Sequence, residues 1–429
     1  QLDMAKYFSF LVGQEVKPTD KVVIYAKNYF EKIGAVIAAT SKEVLQNYIV
    51  MQTIRNDLRM VPAPLHVVRD TFGNGMGWDY SSRDGSACIQ RTLERLKFAT
   101  AAMFAQDRFM AKDRAEIEDL IKNIKKSFEI TLPNMEWMDD ATKAAALEKV
   151  GLMLSQIGYP DWITDVDKLD AYYANVDITL NEFANTINLG RAAFQNNVKY
   201  YGLPVDRNRW RAVDNPTLAG AYNEENQNVL VLFVGILQEP FYGYHYPKAL
   251  LYGMIGSLIS QIFVHGFDEI GHKYNGIGQS VDWWTQATAA AYDEKAQCYL
   301  DQYNNITVRG GKTQVNGEFT LGENIADNGA VVIAYNAYRL YREMGGKDET
   351  LPGLDLSSNQ LFFLGYTQNW CARVTDDFMK VILMYDYHSP NVVRGEVPLM
   401  NSKRFAQTFK CRKGSRMNPE ERCQMWPTF

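Results

Sequence analysis

Two short runs of this 429-residue chain hold the side chains best suited to chemistry. The first is Ser260-Gln261-Ile262-Phe263-Val264-His265-Gly266-Phe267-Asp268, and the second is Leu321-Gly322-Glu323-Asn324-Ile325-Ala326-Asp327-Asn328-Gly329. Imidazole and carboxylate are ordinary ligands of a divalent metal and ordinary acid–base groups. The other histidines are His66, His245, His272 and His388. No glycine-rich phosphate loop and no G-x-S-x-G elbow is present, which argues against nucleotide chemistry and a serine hydrolase. The cysteines Cys88, Cys298, Cys371, Cys411 and Cys423 lack the paired spacing of a structural zinc site, and their odd number leaves at least one without a partner in the chain. With the single glycosylation sequon Asn305-Ile306-Thr307, they lean toward an extracellular or secretory setting.

A large globular framework must position these groups. Hydrophobic residues make up 46% and charged residues 22%, and the length predicts two or three domains at ~150 residues each. A net charge of −5 argues against nucleic acid or an anionic membrane as the main partner. Gln1 opens a helical-looking segment with no basic and apolar leader before it; either a signal or anchor has been removed, or this is the C-terminal part of a longer protein. The uncharged stretch Ala249–Phe267 carries Ser257, Ser260, Gln261 and His265, and predicts a buried core helix rather than a membrane span.

The N-terminal half reads as helical. Thr40 and Glu43 form a capping-box pair ahead of Val44, Tyr48, Met51, Ile54 and Leu58 at helical spacing. Ile117, Leu120, Ile121, Ile124 and Phe128 make a second stripe, a third helix follows Asp140 through Ala144, Leu147 and Val150, and Gly158-Tyr159-Pro160 closes that region. All three stripes are expected to face the core. The character changes after about residue 185. Val229–Phe233 is a short run of strand formers, ended by Gly235 and Pro240. A helix is expected near Asn324 to Tyr341, and the segment Cys411–Cys423 is basic and compact. There is no internal repeat and no low-complexity tract.

Several ordered runs resemble the neprilysin family of zinc endopeptidases over nearly the whole chain. They are Val22-Val23-Ile24-Tyr25-Ala26, Ile157-Gly158-Tyr159-Pro160, Gly235-Ile236-Leu237-Gln238, His265-Gly266-Phe267-Asp268, Thr320 to Gly329, Leu354-Asp355-Leu356, His388-Ser389-Pro390, and the final Cys423 with Trp426. The resemblance implies a mainly α, two-lobed ectodomain. Residues 1–185 would be the remainder of a helical cap lobe lacking its N-terminal part. Residues 186–429 would be a thermolysin-like (zincin-type) peptidase lobe containing a small β element.

In that family two histidines at i and i+4 on one helix hold zinc, and a glutamate beside the first activates the metal-bound water. A third ligand is the glutamate of a GENxxD motif, whose aspartate orients a ligand histidine. Carried over, His265 stands at the second histidine, Glu323 at the third ligand and Asp327 at the orienting position. Gln261 replaces the first histidine, and Ile262 replaces the general base. A glutamine carbonyl is a poor zinc ligand, isoleucine accepts no proton, and general-base catalysis is typically worth 10²–10⁴-fold. Gly220-Ala221 stands where the family has an Asn-Ala pair on the strand that holds substrate backbone, whereas His388 and Arg394 match positions that steady the transition state and bind substrate carbonyls.

The resemblance with these departures predicts a catalytically dead relative, acting extracellularly as a binding or assembly protein for a peptide or protein ligand. No cofactor is expected on that reading. The alternatives are an active zinc endopeptidase that cleaves small peptides on the amino side of hydrophobic residues, and a scaffold in which His265 and Glu323 hold zinc without turnover. Without a metal, Glu323 and Asp327 would serve as hydrogen-bond partners of His265 or Arg394, Ile262 and Phe263 would extend an apolar helix face, and Asp268 would support the following turn. The resemblance also implies a Cys298–Cys423 disulfide. It implies that Cys88, Cys371 and Cys411 pair with an N-terminal fragment of the same protein. The expected location is secreted, or the ectodomain of a single-pass type II membrane protein.

Overall fold

The computed structural model describes residues 3–24, 26–56, 64, 66–75, 85–211, 214–309, 311–347 and 349–428; Tyr25 and Leu58 fall outside them. The chain begins with helices α1 (Met4–Val12), α2 (Lys27–Ala39), α3 (Lys42–Asn56), α4 (His66–Gly75) and α5 (Ser86–Arg95). Next come α6 (Lys97–Arg108), α7 (Ala111–Thr131), α8 (Asp140–Leu152), strand β1 (Leu154–Gly158), α9 (Val166–Tyr173) and α10 (Glu182–Val198). Strands β2 (Ala221–Glu224) and β3 (Val229–Phe233) precede α11 (Lys248–Gly253), α12 (Ile255–Val264) and α13 (Gln286–Asn304). Short strands β4 (Thr307–Val308) and β5 (Thr313–Gln314) lead to α14 (Leu321–Glu343), α15 (Ser358–Gln368), α16 (Asp376–Tyr385), α17 (Asn391–Asn401) and α18 (Lys403–Thr408). The chain is mainly helical, as its sequence implies.

Two compact units form, one from Gln1–Lys97 with Val166–Val205, the other from Phe98–Asp165 with Asp206–Phe429. They interleave in sequence, unlike the single expected boundary at 185/186. The reason lies in residues 98–165. The stripe Ile117, Leu120, Ile121, Ile124 and Phe128 on α7 is buried as expected, in one core with Phe263 and Phe267. In the same segment β1 pairs in parallel with β3, Gln156 opposite Val231, and β2 pairs antiparallel on the other side of β3. Strand β3 is buried along its whole length, whereas β2 is an edge strand.

Three local expectations change. Ser41, not Thr40, caps α3 by accepting a hydrogen bond from the Val44 N–H at 3.3 Å, while the Thr40 hydroxyl donates to the Val36 carbonyl one helix earlier. Val44, Tyr48, Met51 and Ile54 are exposed rather than core, because α3 meets no apolar face that covers this stripe among the described residues. Helix α8 is capped by Asp139, which accepts from the Thr142 N–H at 2.8 Å. It buries Ala146 and Val150 but leaves Ala144 and Leu147 outside.

The uncharged stretch is a broken core helix. By length and composition Lys248–Phe267 could cross a membrane, yet 83% of it is buried within the fold. It divides at Met254 into α11 and α12 and ends in a 3₁₀ turn at His265–Phe267. A Cβ on Gly253 would stand 2.0 Å from the Phe362 carbonyl oxygen, so only glycine allows α11 and α15 to approach so closely. Helix α14 runs through the core beside α7 and α12, with Ile325, Ala326, Val331 and Ala334 buried. Its buried position makes any carboxylate on it costly unless paired.

Candidate functional site

Helix α12 presents Gln261, the 3₁₀ turn that ends it presents His265 four residues on, and the first turn of α14 presents Glu323 opposite them. The Gln261 amide nitrogen donates to Glu323 Oε2 at 2.7 Å and lies 3.1 Å from His265 Nε2. His265 Nε2 is itself 3.4 Å from Glu323 Oε2, and His388 Nε2 approaches the same oxygen at 3.4 Å. Each imidazole is backed by an aspartate: His265 Nδ1 lies 2.6 Å from Asp268 Oδ2, and His388 Nδ1 lies 2.8 Å from Asp386 Oδ1. The other Asp268 oxygen accepts from the N–H groups of Ile270 and Gly271 at 2.9 and 2.7 Å, so Asp268 both supports its turn and holds His265.

Asp327 and Arg394 lie one layer behind. Arg394 donates Nε to Asp327 Oδ2 at 2.7 Å and Nη2 to Asp327 Oδ1 at 2.8 Å, and its guanidinium covers the Trp370 ring at 4.0 Å. The sequence places Asp327 behind a ligand histidine and Arg394 on substrate carbonyls. In the structure Arg394 pairs with Asp327, the partnership expected without a metal, and also lies 3.6 Å from Glu323 Oε2. Arg394 is only 8% exposed and does not line the cavity.

A cavity of about 450 Å³ opens onto Gln261, Ile262, His265, Glu323, His388 and Ala221. Tyr222 and Asn223 of the β2 edge strand share its wall, as do Phe319, Tyr387, Glu225 and Glu269. Of the residues singled out in the sequence, those six are thus brought together; Asp327 and Arg394 support them from behind. Asp386, Glu225 and Glu269 were not singled out. Asp386 is signalled only by its place two residues before His388, and the two glutamates by nothing local.

The electrostatics follow from burial and pairing. Burial disfavours a charged His265, but Glu323 and Asp268 outweigh it and raise its pKa well above the ordinary value. Burial would raise the Glu323 carboxyl, yet His265, His388 and Arg394 hold it at about 2. Burial, then the charge of Asp268, push Glu269 up to about 7, and burial also raises Glu225.

These donors do not fit zinc. Of three ligand positions one is an amide whose nitrogen, not its oxygen, faces the other two, bridging Glu323 and His265 through the space their lone pairs would share. With its proton on Nδ1, His265 Nε2 can accept the second amide N–H; protonated, it faces Glu323 at 3.4 Å. No three His, Cys, Asp or Glu side chains among the described residues are arranged to share a metal ion. Ile262 is 2% exposed and packs in the core, so the side chain next to the amide accepts no proton.

Elsewhere, Cys298 and Cys423 form a disulfide, whereas Cys88 and Cys371 are free and exposed and Cys411 is free and half-buried. Asn305 is exposed at the end of α13.

Fold and site together place the chain in the metallopeptidase class. Residues 1–160 and 220–425 both match the profiles of peptidase family M13. The chain is 34% identical to an endothelin-converting enzyme homolog of Locusta migratoria, covering 97% of this chain and 58% of the relative. It is 33% identical to neprilysin-1 of Caenorhabditis elegans (97% and 56%) and 33% identical to human endothelin-converting enzyme 1 (96% and 53%). It therefore spans little more than half the length of these relatives. Among solved structures, the Mycobacterium tuberculosis zinc metalloprotease Zmp1 superposes with a TM-score of 0.83 at 26% identity, covering 93% of this chain and 60% of that one. A Haemonchus galactose-containing glycoprotein complex superposes at 0.70 and 27%, covering 79% and 55%. The chain belongs to peptidase family M13, the neprilysin family.

Proposed function

We propose that this chain is a catalytically inactive member of its family that binds a peptide or protein in the cleft beside β2, as an extracellular binding or assembly component. The observation that carries the reading is the Gln261 amide, hydrogen-bonded to Glu323 and 3.1 Å from His265, next to an isoleucine where a base is needed. Such a site lacks both the metal-held water and the group that would take its proton. The cleft itself persists, with an edge strand to extend and His388 at its wall. The Haemonchus glycoprotein complex is a related chain found within an assembly, which supports the binding role and an extracellular setting. Zinc content and hydrolysis of hydrophobic peptides, each with and without chelator, test the proposal. The purified chain is expected to hold no stoichiometric zinc and to cleave nothing; chelator-sensitive hydrolysis would overturn it.

A further inference from the structure

The basic segment Cys411–Cys423 contributes nothing to the cleft. Residues 403–422 carry seven Lys or Arg and only two carboxylates, Glu420 and Glu421, in a chain whose net charge is −5. A second cavity, of about 460 Å³, opens here between α18 and the loop that follows it. Four cations line it, Lys403, Lys410, Lys413 and Arg422, and no carboxylate does. The ion pair that this segment does form joins Arg416 to Glu396 and uses none of the four. Lys403, Lys410 and Lys413 form no ion pair among the described residues. Like charges gathered round one cavity repel each other, and an anionic occupant relieves that repulsion.

The backbone that carries these cations is fixed. Asn418 Nδ2 donates to the Cys411 carbonyl at 2.7 Å, and the Gly414 N–H donates to the Asn418 carbonyl at 2.9 Å. Arg422 donates Nε to the Met400 carbonyl at 3.2 Å and Nη2 to Asn418 Oδ1, and the next residue, Cys423, is tied to Cys298. Lys410 ends α18 at a φ of +52°, in the left-handed region where glycine is the unstrained choice. A cation is thus kept at the cavity edge against a local backbone cost, as happens at binding sites. The cavity is larger than a single oxyanion needs and lies in the range that takes a bigger group. No aromatic ring lines it to carry the face of a sugar, whereas Gln407 adds an amide that both donates and accepts, as a peptide backbone requires.

We propose that this cavity binds an acidic stretch of polypeptide, its carboxylates set against Lys403, Lys410, Lys413 and Arg422. The inference goes beyond the reading of the cleft and does not rest on it, since the two cavities share no residue. Charge-assisted hydrogen bonds supply the preference; one exposed pair contributes little, and several in one preorganised cavity add up.

The test titrates blocked peptides rich in Asp and Glu, and their Asn and Gln counterparts, into the intact chain by calorimetry. None carries a cysteine, so the result does not depend on a disulfide at Cys411. The acidic peptides are expected to bind about tenfold more tightly than their amide counterparts. Added salt should erode that preference. Joint replacement Lys403→Gln, Lys410→Gln and Lys413→Gln should abolish it, Lys413→Gln alone should reduce it, and Lys122→Gln on α7, outside the cavity, should leave it unchanged. An unaltered thermal midpoint shows that each variant is folded. Equal binding of acidic and amide peptides, or no binding of either, overturns the inference. A preference that survives the joint replacement also overturns it. Two further arms, a heparin tetrasaccharide and inorganic phosphate, identify the other occupants: tighter binding of the tetrasaccharide makes this a sulfated-glycan site, and equal affinity for phosphate makes it a site for a single oxyanion, and either result overturns the proposal. None of these results bears on the cleft.

Discussion

At position 261 a single amide nitrogen meets both Glu323 and His265, so glutamine there does more than withhold a ligand. It fills the point of convergence with a hydrogen-bond donor. Gln261→His alone is therefore expected to raise zinc retention without hydrolysis, since Ile262 still accepts no proton. Adding Ile262→Glu should yield measurable, chelator-sensitive peptide cleavage; metal analysis and a peptide assay check each step. The ionisation of the cluster sets a pH dependence. The Glu323 carboxyl falls from 4.5 to about 2 on folding, so its contribution to stability is present above about 4.5 and is lost as pH falls toward 2. His265 is raised, so its contribution is present below the ordinary histidine value and is lost as pH rises through the folded value. The urea midpoint is expected to fall on both sides of about pH 5–6, and Glu323→Gln should flatten the acid side.

Between elements, two contacts carry most of the consequences. The Arg394–Asp327 pair ties α17 to α14 in the core, with both partners 8% exposed or less. Removing one partner strands a buried charge, so Asp327→Ala is expected to cost about 3–5 kcal/mol in denaturant unfolding. Arg394→Lys should cost less but keep neither the paired geometry nor the cover over Trp370. The close approach of α11 to α15 gives a second case: Gly253→Ala drives a methyl into the Phe362 carbonyl and should lower the thermal midpoint by several degrees, about 1–3 kcal/mol of overpacking. Helices α7, α12 and α14 are held by apolar side chains such as Ile117, Ile259 and Ile325, all fully buried, at ~25 cal/mol per Å² removed from water. Chelator should accordingly leave the melting temperature unchanged; a large drop in calorimetry would reveal a structural metal.

Across the whole molecule the cysteines sort into two groups. Cys298 and Cys423 close within the chain across a sequence separation of 125, and replacing both is expected to cost about 2–5 kcal/mol. Cys88, Cys371 and Cys411 are free in the chain. We propose that they bond an N-terminal fragment of the same protein. Non-reducing electrophoresis of material from its native source should release a second polypeptide only after reduction. Three free thiols in mass spectrometry would refute this.

The sequence by itself determined the family and the mainly helical class, and it set Gln261 and His265 one turn apart, because these depend on residue order and local spacing. The stripe on α7 and the strand Val229–Phe233 were legible for the same local reason: periodicity survives without knowledge of partners. The stripe on α3 has the same period and is exposed, since period does not say whether a second surface arrives to cover it. Only the tertiary structure decided that residues 98–165 join the C-terminal unit, through α7 packing and the β1–β3 pairing. It alone decided between His265 and Arg394 as the partner of Asp327, and showed that Glu225 and Glu269 share a wall with Asn223. Each of these rests on groups far apart in the chain, where charge and burial act through space and leave no trace in local order.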